Sequence, residues 1–318
     1  MLLTTGVAAD LDSLSYFGGP ALFLRFHRTV LHSLIGSLSI AFVTAAIFLA
    51  IDKIRPKRHL GSQTPVRPGF GAGLVALVCV IGVGGHILLD LVSGIGVRLL
   101  WPFRAGWNGW ELLTNIDLWI LTLLAAAVLL PELLKLVGDE IGEQKKSSGG
   151  RGAAIIALVI LVLYVGSRAV FHTQAANLLA SREYHGRPPV AVAAFPFAAT
   201  PFTWRGVVTT DATVEELPVS LLGSSEFDPD RTLTRYKAEP SAALDAGLRT
   251  SEAKTFLAYA KIPFASIIRM ENGYRFELSD MRFPLGDSSP ENILARADFN
   301  SSLQLLRGEL RYASSNGR

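Results

Sequence analysis

Four stretches of this chain are apolar for so long that only one kind of backbone can hold them. Leu31–Ile51, Phe70–Leu91, Ile116–Leu136 and Ala153–Phe171 each approach the roughly 20 apolar residues that an α-helix needs to cross a hydrocarbon layer about 30 Å thick. Lipid offers no water to unpaired peptide groups, so such a segment satisfies them internally, as a helix. The chain is 18% charged, against about a quarter for an ordinary soluble domain, and the shortfall lies before Phe171. The sequence therefore predicts an α-helical membrane domain (about four transmembrane helices) over residues 1–185, followed by a small β-rich extramembrane domain over 186–318. The one cysteine, Cys79, sits inside the second apolar run, which excludes disulfides and thiolate metal sites. A net charge of +3, with the basic residues in loops, gives no nucleic-acid stripe. The N-terminus lacks the basic-then-apolar order of a signal peptide, so the helices themselves are expected to direct insertion.

Pro131 predicts a kink in the third helix, and Arg168 near the end of the fourth is placed to snorkel to the interface. DKIRPKRHLGSQTPVRP and GDEIGEQKKSSGGRG read as polar connecting loops. They carry Lys53, Arg55, Lys57, Arg58, Arg67, Lys145, Lys146 and Arg151, eight basic residues against four on the other side, Arg25, Arg28, Arg98 and Arg104. Positive charge favours the cytoplasm. The N-terminal stretch, the Val92–Asn115 connection and everything after Phe171 are then expected outside. Trp101, Phe103, Trp107 and Trp110 read as an interfacial aromatic belt. Beyond Gly186 the pattern turns to period two: WRGVVTTD, SIIRME, YRFELSDMRF, ILARADFN and LQLLRGELRY read as strands. Asn272-Gly273 is a hairpin turn signal, and Ser251–Ala260 reads as a short helix with Ser251 as its N-cap.

Ionisable residues in or beside spanning helices are costly and point to function. Here they are Asp10, Asp12, His27, His32, His86, Asp90 and Asp117. His27 and His32 precede or open the first helix, His86 and Asp90 close the second, and Asp117 opens the third. Antiparallel neighbours bring all three positions to one membrane face, opposite the basic loops. His86 and Asp90, at i and i+4, share a helical face and form a two-ligand clip for a divalent ion. Gly82, Gly84 and Gly85 before them leave room for a helix or substrate to approach. Asp10 and Asp12 share a face only where that stretch is extended or ends a helix. His27 and His32, five apart, stand about 140° apart on a regular helix, so unless His27 sits before the helix proper they bind different ions or one stands behind the ligands. The plain structural alternatives are an interfacial role for a lone His, a helix cap for Asp117 and a loop position for Asp10 and Asp12. No glycine-rich phosphate loop, G-x-S-x-G elbow or H-E-x-x-H occurs, which leaves P-loop, serine-hydrolase and zincin chemistry unsupported.

The stretches DLDSLSYFGGPALFLRFHRTVLHSL and GGHILLDLVSGIGVRLLWPF resemble the YdjM/YbcI-type membrane-bound metal-dependent hydrolases, also described as LexA-binding, inner-membrane-associated hydrolases. Their pattern is Asp-x-Asp, then His-Arg-Gly-x-Thr-His-Ser, then His-x-x-x-Asp followed by Gly-Val and Leu-Trp-Pro-Phe. Asp10 and Asp12 match the first element. His27, Arg28, His32 and Ser33 match the second, with Thr29 and Leu31 in place of its Gly and Thr. His86 and Asp90 match the third, followed by Gly96, Val97, Trp101, Pro102 and Phe103. Asp117 matches an Asp that opens the next helix in longer members, and PFTWRGVV and GYRFELSDMRF resemble the extra C-terminal domain of those members. Members also carry an early Thr-His pair on a preceding helix. MLLTTGVAAD resembles the tail of that segment, so the expectation is a start assigned late or a copy lacking one ligand.

The resemblance implies a divalent metal ion, zinc by similarity of ligand order to the zinc-dependent phospholipase C and single-strand nuclease group, and hydrolysis of a phosphoester. Asp10, Asp12, His27, His32, His86, Asp90 and Asp117 are the candidate metal ligands, with Asp12 and His32 also the candidates for catalysis. Position near the headgroups suggests a lipid or lipid-linked substrate. The alternative is a non-catalytic membrane metal-binding scaffold or sensor that uses its C-terminal domain to bind a protein partner.

Overall fold

The structure is a computed structural model that describes residues 1–54, 71–140, 150–222, 231–284 and 289–313, with the backbone alone for 135–140. Two short helices, α1 (Leu2–Ala8) and α2 (Pro20–Phe26), flank a 3-10 stretch at Ala9–Gly18. Four apolar helices follow: α3 (Leu34–Ile54), α4 (Ala72–Val92), α5 (Leu118–Glu140) and α6 (Arg151–Ala180). α3, α4 and α6 are long and apolar enough to cross a membrane, and α5 contributes a shorter apolar run, Leu118–Leu134. α5 continues through Pro131. Arg55, Lys57, Arg58, Arg67, Lys145 and Lys146, the core of the two basic loops, lie outside the described residues.

Among the described residues eight strands form two four-stranded antiparallel sheets, each a simple meander. The first holds β1 (Ala191–Pro196), β2 (Thr203–Thr209), β3 (Thr213–Ser220) and β4 (Leu233–Tyr236); the second holds β5 (Pro263–Met270), β6 (Gly273–Asp280), β7 (Ile293–Asn300) and β8 (Leu305–Tyr312). The chain divides into two compact units, one of Met1–Gly109 with Lys237–Arg318 and one of Trp110–Tyr236.

In the first unit, Ala41 and Ala45 of α3 meet Val75, Cys79, Val83 and Ile87 of α4. The small Ala side chains on one helix allow close approach to the other, and dispersion holds the pair where lipid gives no hydrophobic drive. α1 lies on α4 at Gly82, where a Cβ would stand 2.8 Å from the Leu2 carbonyl oxygen; Gly84 and Gly85 have nothing within 4 Å. The second sheet turns Phe276, Leu278, Ile293, Ala295, Ala297 and Phe299 to one face, as strand alternation requires. α8 (Ser251–Leu257) covers that face with Ala253 and Phe256. So does α2, whose Phe23 and Leu24 are buried in the same core. A further short helix, α7 (Ala242–Leu248), which the sequence pattern did not reveal, packs its Leu244 there too.

Several local expectations are corrected. The cap of α8 is Thr250, whose Oγ1 accepts from the Ala253 N–H at 3.2 Å, one residue before the expected Ser251. The β5–β6 hairpin closes at Met270 and Gly273, so its two turn residues are Glu271 and Asn272. Gly273 is needed where β6 passes β7, since a Cβ there would meet the Phe299 carbonyl oxygen at 1.9 Å. Trp107 is no belt residue: its Nε1 donates to the Tyr259 carbonyl at 2.5 Å and its ring packs on the second sheet's core. Phe103, 86% exposed, does present itself outward.

In the second unit α6 runs past Phe171 to Ala180, and Ala175 and Leu179 pack on Trp204, Val208, Leu217 and Val219 of the first sheet. This changes the fate of Arg168. It does not snorkel but is fully buried, donating to the Leu112 carbonyl at 2.9 Å and to the Pro201 carbonyl, with its guanidinium 4.1 Å from the centre of the Trp204 ring. Carbonyl acceptors and an aromatic face replace the water that a snorkelling cation seeks.

Phe276 is 1% exposed at the centre of the second sheet's core. Phe276→Ala is expected to cost about 3–5 kcal/mol, and Phe103→Ala, a surface truncation, less than about 0.5 kcal/mol. Unfolding curves of the detergent-solubilised chain measure both; equal losses would refute this packing.

Candidate metal centre

Three short pieces of chain and the end of one long helix bring the ionisable residues together, all within the first unit. Asp10 and Asp12 lie on the 3-10 stretch, His27 caps the C-terminus of α2, and His32 sits in the turn before α3 begins at Leu34. His86 and Asp90 occupy the last turns of α4. The turn holding His32 is tied to the connection after α4 by two backbone bonds, Arg98 N–H to the Arg28 carbonyl at 3.1 Å and Leu34 N–H to the Leu99 carbonyl at 2.9 Å.

His32 Nε2 and His86 Nε2 face each other at 3.4 Å. Asp10 Oδ1 lies 3.4 Å from the second and 3.7 Å from the first. Tetrahedral neighbours around a small divalent ion, each about 2.1 Å from it, stand about 3.4 Å apart, so Asp10, His32 and His86 fit one face of such a shell. They form a group able to hold a metal ion. Asp90 Oδ2 approaches the same two nitrogens, at 3.2 and 3.3 Å, and is buried without a hydrogen bond. Its other oxygen pairs with Arg28 Nη1 at 3.0 Å. Two imidazoles and two carboxylates converging here, with Asp90 Oδ2 buried and unengaged, suit a divalent ion. The group opens outward at Asp10, whose side chain is 49% exposed, while His32 is fully buried.

Asp12 stands behind this group. Its Oδ2 accepts from the Arg28 backbone N–H at 2.7 Å and lies 2.9 Å from His32 Nδ1; its Oδ1 lies 3.4 Å from His27 Nδ1. A carboxylate on the far nitrogen of a metal-facing imidazole fixes the ring's orientation and its tautomer. The Arg28 backbone is left-handed, with φ at 52°, which aims its N–H at Asp12. Thr29, which replaces a family glycine, is not left-handed, so a side chain there meets no backbone penalty, and its Oγ1 donates to the His27 carbonyl at 3.1 Å.

Electrostatics follow these contacts. His32 and His86 beside Asp10 hold its carboxyl well below the usual range. Burial disfavours ionised Asp12, yet His27 and His32 outweigh it and the net shift is downward. Burial likewise disfavours a charged His32, but Asp10, Asp12 and Asp90 prevail and push it up to about 10. An entering ion therefore competes with a proton on His32.

Six of the seven expected site residues thus share one site, in distinct places: Asp10, His32 and His86 in the group, Asp90 against it, Asp12 and His27 behind it. Asp117 belongs to the other unit. There its Oδ1 accepts from the Trp119 and Ile120 N–H groups at 3.1 and 3.2 Å, capping α5, and its carboxylate receives the Tyr164 hydroxyl at 3.2 Å. One further residue joins the site without a signal in the sequence. Glu291, just before β7, places Oε1 3.7 Å from His27 Nε2. It sits in a polar turn, SSPENIL, where nothing in type or spacing sets it apart.

Apolar spanning helices that end on a His/Asp group able to hold a divalent ion define an integral membrane protein with a candidate metal centre. The family model described as YdjM inner membrane protein matches residues 1–175, and the chain belongs to that family. No curated protein and no solved structure matches it.

Asp12→Asn should weaken divalent-ion binding about 10- to 100-fold, the usual cost of removing an orienting partner. Asp117→Ala should leave ion uptake unchanged and cost about 1 kcal/mol as a lost cap. Ion titration and thermal unfolding of the two variants check these outcomes, and the reverse pattern would place Asp117 among the ligands.

Proposed function

We propose that this YdjM-family protein is a divalent-metal-dependent hydrolase of phosphoesters, with lipid or lipid-linked substrates. The observation that carries the reading is the Asp10–His32–His86 group, three donors that leave one side open. That is the pattern of a catalytic rather than a closed structural site. Zinc suits two imidazoles and a carboxylate best. A bound ion would polarise the phosphoryl oxygen and lower the pKa of a water. Asp90, held by Arg28, would take that water's proton through Oδ2. His32 contributes Nε2, and Asp12 acts through His32 as a positioning residue.

Two surfaces support a lipid substrate. On the turns of α4 that bear His86 and Asp90, Leu88 and Leu89 are exposed, as expected of a helix side facing lipid. Along the N-terminal stretch Leu3, Val7, Leu11, Leu14 and Phe17 are exposed, while Thr5, Ala9 and Asp12 are buried. A stripe of this kind suits a segment lying in the headgroup layer. The distribution of basic residues favours placing this face outside the cytoplasm.

Metal analysis of the detergent-purified chain tests the reading, beside a variant carrying His86→Ala and Asp90→Ala. The wild type should hold a stoichiometric divalent ion and cleave a lipid phosphoester in a panel of lipid and soluble esters, and the variant should lose both. A wild type without an ion would defeat the proposal. An ion without cleavage would favour the scaffold or sensor instead.

A further inference from the structure

We infer that the second sheet is part of the metal centre, and that Glu291 is a positioning residue holding the metal-facing ring of His32 through His27 and Asp12. The inference rests on the metal-binding reading above and adds to it a residue and a module beyond the stretch the family model matches.

Carboxylates and imidazoles alternate in one file. Glu291 Oε1 lies 3.7 Å from His27 Nε2, His27 Nδ1 lies 3.4 Å from Asp12 Oδ1, and Asp12 Oδ2 lies 2.9 Å from His32 Nδ1. The far nitrogen of His32 faces His86 and Asp10. His27 is buried, and neither ring nitrogen has a hydrogen bond, so the two carboxylates are its polar surroundings. The ring also stacks on Phe23, with centroids 4.2 Å apart and planes 19° from parallel. Phe23 in turn is buried among Phe276, Leu278 and Ile293 of the second sheet.

The sheet therefore grips His27 twice, through the Phe23 face and through the Glu291 carboxylate. Glu291 is itself well placed, since the next residues anchor it: Asn292 accepts from the Ala313 N–H at 2.8 Å, and Ile293 is fully buried. Phe23 alone fixes the plane of the imidazole but not its rotation within that plane. Remove the carboxylate, and the Nε2 edge loses its polar partner. The ring can then turn, and Asp12 loses its support on the His27 side.

The test is cobalt(II) titration of the full detergent-solubilised chain, followed by its visible absorption bands, with zinc competition for affinity. Glu291→Gln keeps the shape and removes the charge; it should weaken binding about tenfold, the low end for residues behind a metal ligand, and alter the cobalt band pattern. His27→Gln breaks the file in its middle and should do the same. Glu277→Gln, on β6 and ion-paired with Arg296, controls for general weakening of the sheet and should bind as wild type does. Wild-type affinity and spectrum in either file variant would overturn the inference. Equal weakening in Glu277→Gln would also overturn it, by reducing the effect to sheet stability. A wild type that takes up no cobalt would overturn the metal reading first and this inference with it.

Discussion

Charges buried at the end of a membrane helix must find one another, and the first unit is organised around that necessity. Four carboxylates, of Asp10, Asp12, Asp90 and Glu291, stand against three imidazoles and the Arg28 guanidinium. The buried members, Asp12, Asp90, His27 and His32, could not stay ionised alone, because desolvation of a single charge costs several kcal/mol or more. Together they form a network in which nearly every ionised atom faces an opposite one. Such a network weakly favours folding at best. What it provides is a set of donors held in place before an ion arrives, with two imidazole nitrogens 3.4 Å apart.

The parts legible in the sequence were those governed by local spacing. The apolar runs marked the helices, and alternation after Gly186 marked strands. His86 and Asp90 were paired because positions i and i+4 always meet on a helix, and Nε2 to Oδ2 is 3.3 Å. Long-range packing hid the rest. A position near a helix end predicts snorkelling for Arg168, but α6 extends over the first sheet and buries it against Trp204. Its neighbours predict a belt position for Trp107, but its indole N–H is taken by the carbonyl of Tyr259, 152 positions later. Glu291 could not be found at all, since its meaning lies wholly in a contact with His27.

The substituted glycine of the His-Arg motif shows why a motif departure has to be judged by geometry. Glycine is needed where φ is positive or where a neighbour presses on the backbone. The left-handed residue of this turn is Arg28, not Thr29. Arg28 also links the layers of the site, with its backbone N–H on Asp12 and its side chain on Asp90. The strain of a left-handed non-glycine residue, roughly 1–3 kcal/mol, is thus offset by two contacts to the site's own carboxylates.

What holds the short ligand-bearing elements is a separate matter from what holds the ligands. α1 and α2 have seven residues each, well below the 12–15 or so at which an isolated helix becomes even marginally stable in water. Their positions must come from packing. α1 leans on α4 at Gly82, where the absent side chain admits the Leu2 backbone. α2 sinks Phe23 and Leu24 into the second sheet. Asp10 and Asp12 lie on the stretch between those two anchors, and Tyr312 on β8 secures it further, its hydroxyl donating to the Tyr16 carbonyl at 3.1 Å. The membrane helix and the distant sheet are thus two jaws on one short segment, and the spacing of the donor atoms depends on both. A sheet that merely covered a finished site would leave Phe23 outside its core. Here Phe23 is inside it.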